Sequence, residues 1–364
     1  MRVLVWQWGR RGAGPRLAAC LAAGFAALPG IEAALALSSG AEILRGPDPP
    51  RCDLALPLYE GVPGLAWRAL QAPIFVGQTV RWLRRTRPAL AVCAMPGPLD
   101  LLMAASLRRA RVPMAVVVHD AEAHPGDATP LLFPLNRALI RRAGAVITLS
   151  DHVGDRLRAQ GVLRPNVKLV RTGLPPFTFG PAAPPGAHGG PLRVLSFGRL
   201  LPYKGLDLLA EALARLGKRD MTVRVVGQGP ESAALDALRA LPCVEVENRW
   251  VAEGEIGALI AWADLLVLPY REASQSGPAA VALAAGRFVL ATRVGGLVQQ
   301  LGAEPLATLC EPDVASIAAA LDRFITAPPA AIRGVDAAAA WAEFARRVLD
   351  ELHPLLSGPA GRHG

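Results

Sequence analysis

The chain has 364 residues, 52% of them hydrophobic and 19% charged, and Lys and Arg outnumber Asp and Glu to give a formal net charge of +9. That length is two domains' worth of chain and that apolar content builds two cores, which excludes a disordered protein. Five scattered cysteines without C-x-x-C spacing suit buried thiols in a reducing cytoplasm, not a disulfide framework. The absence of an RNA-binding motif, with only three Tyr and nine Phe, argues against nucleic acid and leaves phosphates or acidic lipid headgroups as partners of the positive charge.

Met1 to Trp8 reads as a strand and the apolar run Leu17 to Leu28 as one amphipathic helix. A signal peptide introduced by Arg10-Arg11 is the weaker reading, because a strand pattern precedes the arginines and the run is too short to span a bilayer. RVLVW, IEAALAL (31–37), LAVCAM (90–95), MAVVV (114–118) and GAVITL (144–149) are predicted strands with helices between them. Continuous apolar runs of this kind belong to strands buried on both faces, in a parallel sheet covered by helices. The Pro- and Gly-rich segment 173–191 reads as a linker. PLRVLSF (191–197), MTVRVVG (221–227), CVEVE (243–247), DLLVLP (264–269) and FVLAT (288–292) then restart the same rhythm. The expected fold is therefore α/β, with two Rossmann-like doubly wound domains, 1–172 and 192–332, facing across a cleft. In the last segment, 333–364, a helix from about Val335 to His353 carries Trp341, Phe344, Val348, Leu349 and Leu352 at helical spacing and is expected to pack back across both domains.

The densest chemistry lies in VLSFGRLLPYKGLDLLAEAL (194–213), where a strand ends at Gly198 and Arg199 and Lys204 flank the turn into a helix. A helix start offers backbone N–H groups and a favourable dipole to an anion, and two cations complete a diphosphate site. Two solvated surface cations are the plainer reading. Downstream, Ser274-Gln275-Ser276-Gly277 opens a second helix, and Ser276 or Ser274 serves either as its N-cap or as part of a second phosphate-binding end. In the first half the loop Gly9-Arg10-Arg11-Gly12-Ala13-Gly14 follows strand one, and His119-Asp120 directly follow a buried strand, where side chains reach a ligand crevice. His119 with His124 makes a poor metal pair, and no D-x-D motif occurs, so no metal is expected.

The run G-R-x-x-x-x-K-G, then P-Y-x-E-x-x-Q-S-G and A-T-x-V-G-G, resembles the retaining family-4 (group 1) glycosyltransferases of GT-B fold, in particular a subgroup with a Q-S-G loop. The resemblance implies that 1–172 is the acceptor side and 192–332 binds a nucleotide-diphosphate sugar, UDP- or GDP-linked, without a cofactor. It implies that Arg199 and Lys204 hold the donor diphosphate and that Glu272 and Ser274 through Gly277 face the donor sugar and its phosphates. Gly198, Gly227, Gln228 and Arg249 would then border the nucleotide, and Gly12 and Gly14 the reacting sugar. His119 would contact the donor sugar near the scissile bond, and Asp120 would orient it or touch the acceptor. Many members carry a second glutamate that holds the ribose hydroxyls. Here Ala280 stands near that point, so the ribose-binding residue is unassigned.

The implied activity is transfer of a sugar, with retention, to a hydroxyl of a saccharide or lipid-linked acceptor in polysaccharide or glycolipid assembly. A nucleotide-sugar epimerase of the same fold and a catalytically inactive sugar-nucleotide-binding homologue are the alternatives. Arginine clusters at 81, 84, 85 and 87, at 108, 109 and 111, and at 137, 141 and 142 read as solvated helix faces or as a seat on anionic lipid. The expected location is cytoplasmic, with peripheral contact at the inner face of the plasma membrane as the extension of that reading.

Overall fold

The computed structural model describes residues 1–46, 48–58, 64, 65, 67, 70–123, 126, 132–179, 190–330 and 332–357. It divides into two compact units: residues 1–123, 129–172 and 338–364, and residues 124–128 and 173–337.

The first unit is built on a seven-stranded sheet: β1 (Arg2–Gln7), β2 (Glu32–Ser38), β3 (Leu54–Leu56), β4 (Leu90–Cys93), β5 (Met114–Val118), β6 (Ala145–Thr148) and β7 (Lys168–Arg171). Their spatial order is β3-β2-β1-β4-β5-β6-β7, and each neighbouring pair runs parallel. The second unit holds β8 (Leu192–Phe197), β9 (Met221–Gly227), β10 (Val244–Asn248), β11 (Leu265–Leu268), β12 (Phe288–Thr292) and β13 (Ala307–Cys310), in the order β10-β9-β8-β11-β12-β13, again all parallel. Both units are thus doubly wound, and the order reverses beside β1 and beside β8. That reversal opens a crevice at the carboxyl ends of the strands, which is where such sheets bind ligands.

All of the predicted strands except the edge strand β10 are central ones. Val3, Leu4, Val5 and Trp6 of β1 are fully buried, as are Leu265, Leu266 and Leu268 of β11; each such side chain contributes about 1.5–3 kcal/mol of transfer free energy. Sequence reading misses β3, β7 and β13, which are the short edge strands. An edge strand is covered less completely, so LAL, KLVR and ATLC lack a long apolar run.

Helix Ala337–Ser357 joins the first unit although the whole second unit precedes it in the chain. Trp341, Phe344, Val348 and Leu352 form its buried stripe. It lies so close to helix Ala13–Ala26 that a Cβ at Gly24 would stand 2.4 Å from the Trp341 carbonyl oxygen, and Lys168 of β7 pairs with its Glu351 at 2.6 Å.

Candidate functional site

In the second unit, β8 ends at Gly198 and β9 at Gly227, and the two turns interlock. Gly198 N–H donates to Val226 O at 3.1 Å, and Leu200 N–H donates to Gln228 O at 3.0 Å. A Cβ on Gly227 would lie 1.6 Å from the Gly198 carbonyl oxygen, so only glycine allows this approach. Asn248, at the end of β10, braces the same turn by accepting from Gly229 N–H and donating to Gly229 O, both at 3.0 Å. Gly205 caps helix Leu206–Leu216 in the left-handed region, with φ of 64°, and a Cβ there would meet Pro269 O at 1.9 Å. The β8 turn is thereby pressed against the end of β11.

That contact brings the two cations to the second helix start through a pair of tyrosines. Arg199 Nη2 donates to the Tyr203 hydroxyl at 2.9 Å. The Lys204 ammonium lies 3.7 Å from the Tyr270 ring centre and 4.9 Å from that of Tyr203, within the range in which an aromatic face attracts a cation. The Tyr270 hydroxyl is 3.5 Å from Ser276 Oγ. Burial pushes the Tyr270 phenol up to about 12, so it stays neutral and able to donate. Arg199, Lys204, Ser276 and the two tyrosines thus form one chain of contacts.

Helix Gly277–Ala284 begins with most of its donors occupied. Ser276 Oγ accepts from Ala279 N–H at 3.3 Å, Ser276 N–H donates to Gln300 Oε1 at 2.8 Å, and Pro278 has no N–H. The Gly277 N–H is the remaining donor of the first turn among the described residues. Ser276 is therefore an N-cap, and the helix offers an anion one amide at that end rather than a cluster. The turn after β12 fixes the loop behind it: Thr292 Oγ1 donates to Tyr270 O at 2.5 Å, Gly296 N–H donates to Ala273 O at 2.9 Å, and Gln300 Nε2 donates to Ser276 O at 2.9 Å. Ser274 is buried, Glu272 is exposed, and Gln275 Oε1 is buried with no hydrogen-bond partner among the described residues.

Arg249 stands apart from the other cations. Its backbone N–H donates to Gly227 O at 2.7 Å, but its guanidinium donates to Glu255 Oε2 at 2.7 Å and to Glu247 Oε2 at 3.0 Å. Two carboxylates already balance its charge. Gln228 is exposed beside it.

In the first unit, His119 follows β5 and is 9% exposed. Its Nε2 lies 2.8 Å from the Ala94 carbonyl oxygen, which only accepts, so Nε2 carries the proton and Nδ1 is left as an acceptor. Burial lowers its pKa and favours the neutral ring. Asp120 beside it is half-buried. Gly12, with φ of 80°, is the N-cap of helix Ala13–Ala26 and has no side-chain cap. Gly14 sits over Gln7 and Met95, where a Cβ would be 2.8 Å from Gln7 Nε2 and 3.2 Å from Met95 Sδ. The glycine loop and His119 are therefore joined through the chain end of β4. His124 lies outside the described residues, and among the described residues no group of three His, Cys, Asp or Glu could hold a metal.

At the same end of the first sheet, buried Asp100 accepts from Gly97 N–H at 2.6 Å and Trp6 Nε1–H at 3.0 Å. Burial pushes its carboxyl up to about 6. A raised carboxyl stabilises the fold fully below the unfolded-state value of about 4, and that contribution is lost as pH rises to about 6, a change on the order of 3 kcal/mol. Asp100→Asn should flatten the pH dependence of Tm across this window relative to the wild type. Parallel curves for the two proteins would show that Asp100 does not titrate there.

Each unit is thus a doubly wound parallel sheet, and the second carries a cation-bearing turn at the carboxyl ends of its strands. Residues 11–173 match the glycosyl transferase 4-like domain and residues 191–327 the glycosyl transferases group 1 model, so the chain belongs to the group 1 glycosyltransferases. A 2-deoxystreptamine glucosyltransferase of Streptomyces kanamyceticus is 30% identical over 71% of this chain and 74% of its own length. Among solved structures, Anabaena HepE in complex with UDP superposes with a TM-score of 0.63 at 18% identity, covering 97% of this chain and 98% of that one. The UDP-GlcNAc 2-epimerase of Neisseria meningitidis bound to UDP-GlcNAc does so with a TM-score of 0.57 at 9% identity, covering 97% of this chain and all of that one, 100%. These structures share the two-domain Rossmann-like fold of GT-B glycosyltransferases.

Proposed function

We propose that the protein is a retaining glycosyltransferase that moves a sugar from a UDP- or GDP-sugar to a hydroxyl of a saccharide or lipid-linked acceptor, in polysaccharide or glycolipid assembly. The observation that carries this reading is the Lys204 ammonium seated on the Tyr270 ring, whose hydroxyl reaches the Ser276 cap, with Arg199 joined through Tyr203. Arg199, Lys204 and the Gly277 amide bind the donor diphosphate. The turn Gly198–Gly227–Gln228 and the flat face of Arg249 border the nucleotide base. Glu272, Ser274 and Gln275 Oε1, which has no hydrogen-bond partner among the described residues, meet hydroxyls of the donor sugar.

In this reading the acceptor hydroxyl attacks the anomeric carbon from the face that the diphosphate leaves. The bond from that carbon to the phosphate oxygen breaks, the new glycosidic bond forms on the same face, and the acceptor's proton passes to the departing phosphate. Negative charge grows on that phosphate, and the two cations stabilise it where it grows. His119, neutral and with Nδ1 as acceptor, takes a hydrogen bond from a sugar hydroxyl and fixes the ring, and Asp120 lies on the acceptor side.

A thermal-shift series with UDP, GDP and ADP tests the donor half of the proposal. A nucleotide that binds only the native state at about 100 times its Kd adds about 2.7 kcal/mol and raises Tm. One of the three should do so in the wild type and not in Lys204→Ala. If none raises Tm, the protein does not use a nucleoside-diphosphate sugar.

A further inference from the structure

We infer that the outward face of helix Ala72–Thr86, together with Trp67 and Leu70 before it, is a docking surface for an anionic lipid bilayer. Helix Ala72–Thr86 buries Phe75, Val76, Thr79, Val80 and Leu83 against the first unit's core. The helical path reaches back through Gln71, whose N–H donates to Trp67 O at 3.2 Å and whose carbonyl accepts from Phe75 N–H at 3.0 Å. On the side away from the core, Trp67, Leu70 and Ile74 are 62%, 76% and 65% exposed, and Arg81, Arg84 and Arg85 are exposed further along. Trp67, Ile74 and Arg81 follow one another at seven-residue spacing, as do Leu70, Gly77 and Arg84, so the bulky apolar side chains and the cations share one stripe. A Cβ on Gly77 would meet nothing within 4 Å, so the stripe is open along its middle.

Charge complementarity selects the occupant. Arg84 Nη2 donates to Arg109 O at 3.4 Å, which sets exposed Arg108, Arg109 and Arg111 of helix Asp100–Ala110 and its C-cap beside the first cluster. Residues 70–111 contain arginines at 81, 84, 85, 87, 108, 109 and 111, and a single acid, Asp100, which is 1% exposed and faces inward. Such a surface repels a second copy of itself and attracts phosphate headgroups, into which Trp, Leu and Ile insert.

The backbone adds a separate argument. Among the described residues the only non-glycine positions with positive φ are Arg87, at 47°, and Arg111, at 58°, and they are the C-caps of these two packed helices. Glycine is the favoured residue there, because a Cβ is strained in the left-handed region. The fold tolerates that strain twice, both times for an arginine on this face.

Co-sedimentation with vesicles of phosphatidylcholine, with and without phosphatidylglycerol, at low and high salt, tests the inference with no sugar donor present, so its failure leaves the transferase reading intact. The wild type should sediment with the mixed vesicles and be released by salt. Trp67→Ser/Leu70→Ser/Ile74→Ser should weaken binding at least about tenfold. Arg87→Gly/Arg111→Gly should melt no lower than the wild type, since it relieves strain, yet bind vesicles about 30-fold more weakly, at about 1 kcal/mol per arginine. No sedimentation of the wild type at low salt overturns the proposal. So does a serine variant that binds undiminished, or a wild-type dimer in solution that the serine substitutions dissolve.

Discussion

In the proposed transfer, Lys204→Ala should lower kcat/KM by a factor of about 100 to 1,000, mostly through kcat, because there the ammonium acts on charge that grows only as the donor bond breaks. The side chain is half-buried and lies over the Tyr270 ring, so it is already aimed at the Ser276 loop and reorganises little when the leaving phosphate becomes more negative. Loss of one such donor in a water-poor site costs on the order of 3 kcal/mol, which is the source of the factor. Arg199→Ala should behave alike, with a larger share in KM, since Arg199 is the more exposed of the two. Steady-state kinetics on the donor identified by thermal shift would measure both, and wild-type turnover in either variant would remove these residues from the mechanism.

Gly227→Ala should be the most destabilising single methyl in the second unit. The added carbon would lie 1.6 Å from Gly198 O and 2.7 Å from Gly198 C. These are backbone atoms held in register by Gly198 N–H to Val226 O and by Arg249 N–H to Gly227 O, so neither turn can yield without tearing a strand end. Ordinary overpacking costs about 1–3 kcal/mol because side chains shift. Here the obstruction is main chain, and the expected loss exceeds about 3 kcal/mol, read as a fall in Tm together with loss of nucleotide binding. Gln228→Ala, one residue away and exposed, is the control and should leave Tm unchanged. Equal melting of Gly227→Ala and the wild type would mean that the two turns do not touch in this way.

Much of the fold was legible because strands buried on both faces announce themselves as unbroken apolar runs, and β1, β4, β5 and β11 are of that kind. Three of the four edge strands, β3, β7 and β13, were not, since a strand covered on one side needs no such run. In the site, glycine spacing located the turns and the two cations. It did not reveal that Tyr203 and Tyr270 connect those cations to Ser276, because a tyrosine's partners are set by tertiary contact and not by spacing. Gln300 was equally silent: it lies 24 residues from Ser276, yet it takes the backbone donor that a phosphate was expected to use. The resemblance placed Arg249 beside the nucleotide but did not show its pairing with Glu247 at the end of β10 and with Glu255 on the helix Glu253–Trp262. The arginine clusters were plain in the sequence. The exposure of Trp67, Leu70 and Ile74 was not, because an apolar residue at helical spacing reads first as core.

The return of helix Ala337–Ser357 to the first unit sets an order on synthesis. A ribosome delivers residues 173–337 in full while helix Ala13–Ala26 still lacks the partner that covers Gly24. The second unit can therefore finish folding on the nascent chain, and the first waits, with an apolar groove open to chaperones, until the final turns emerge.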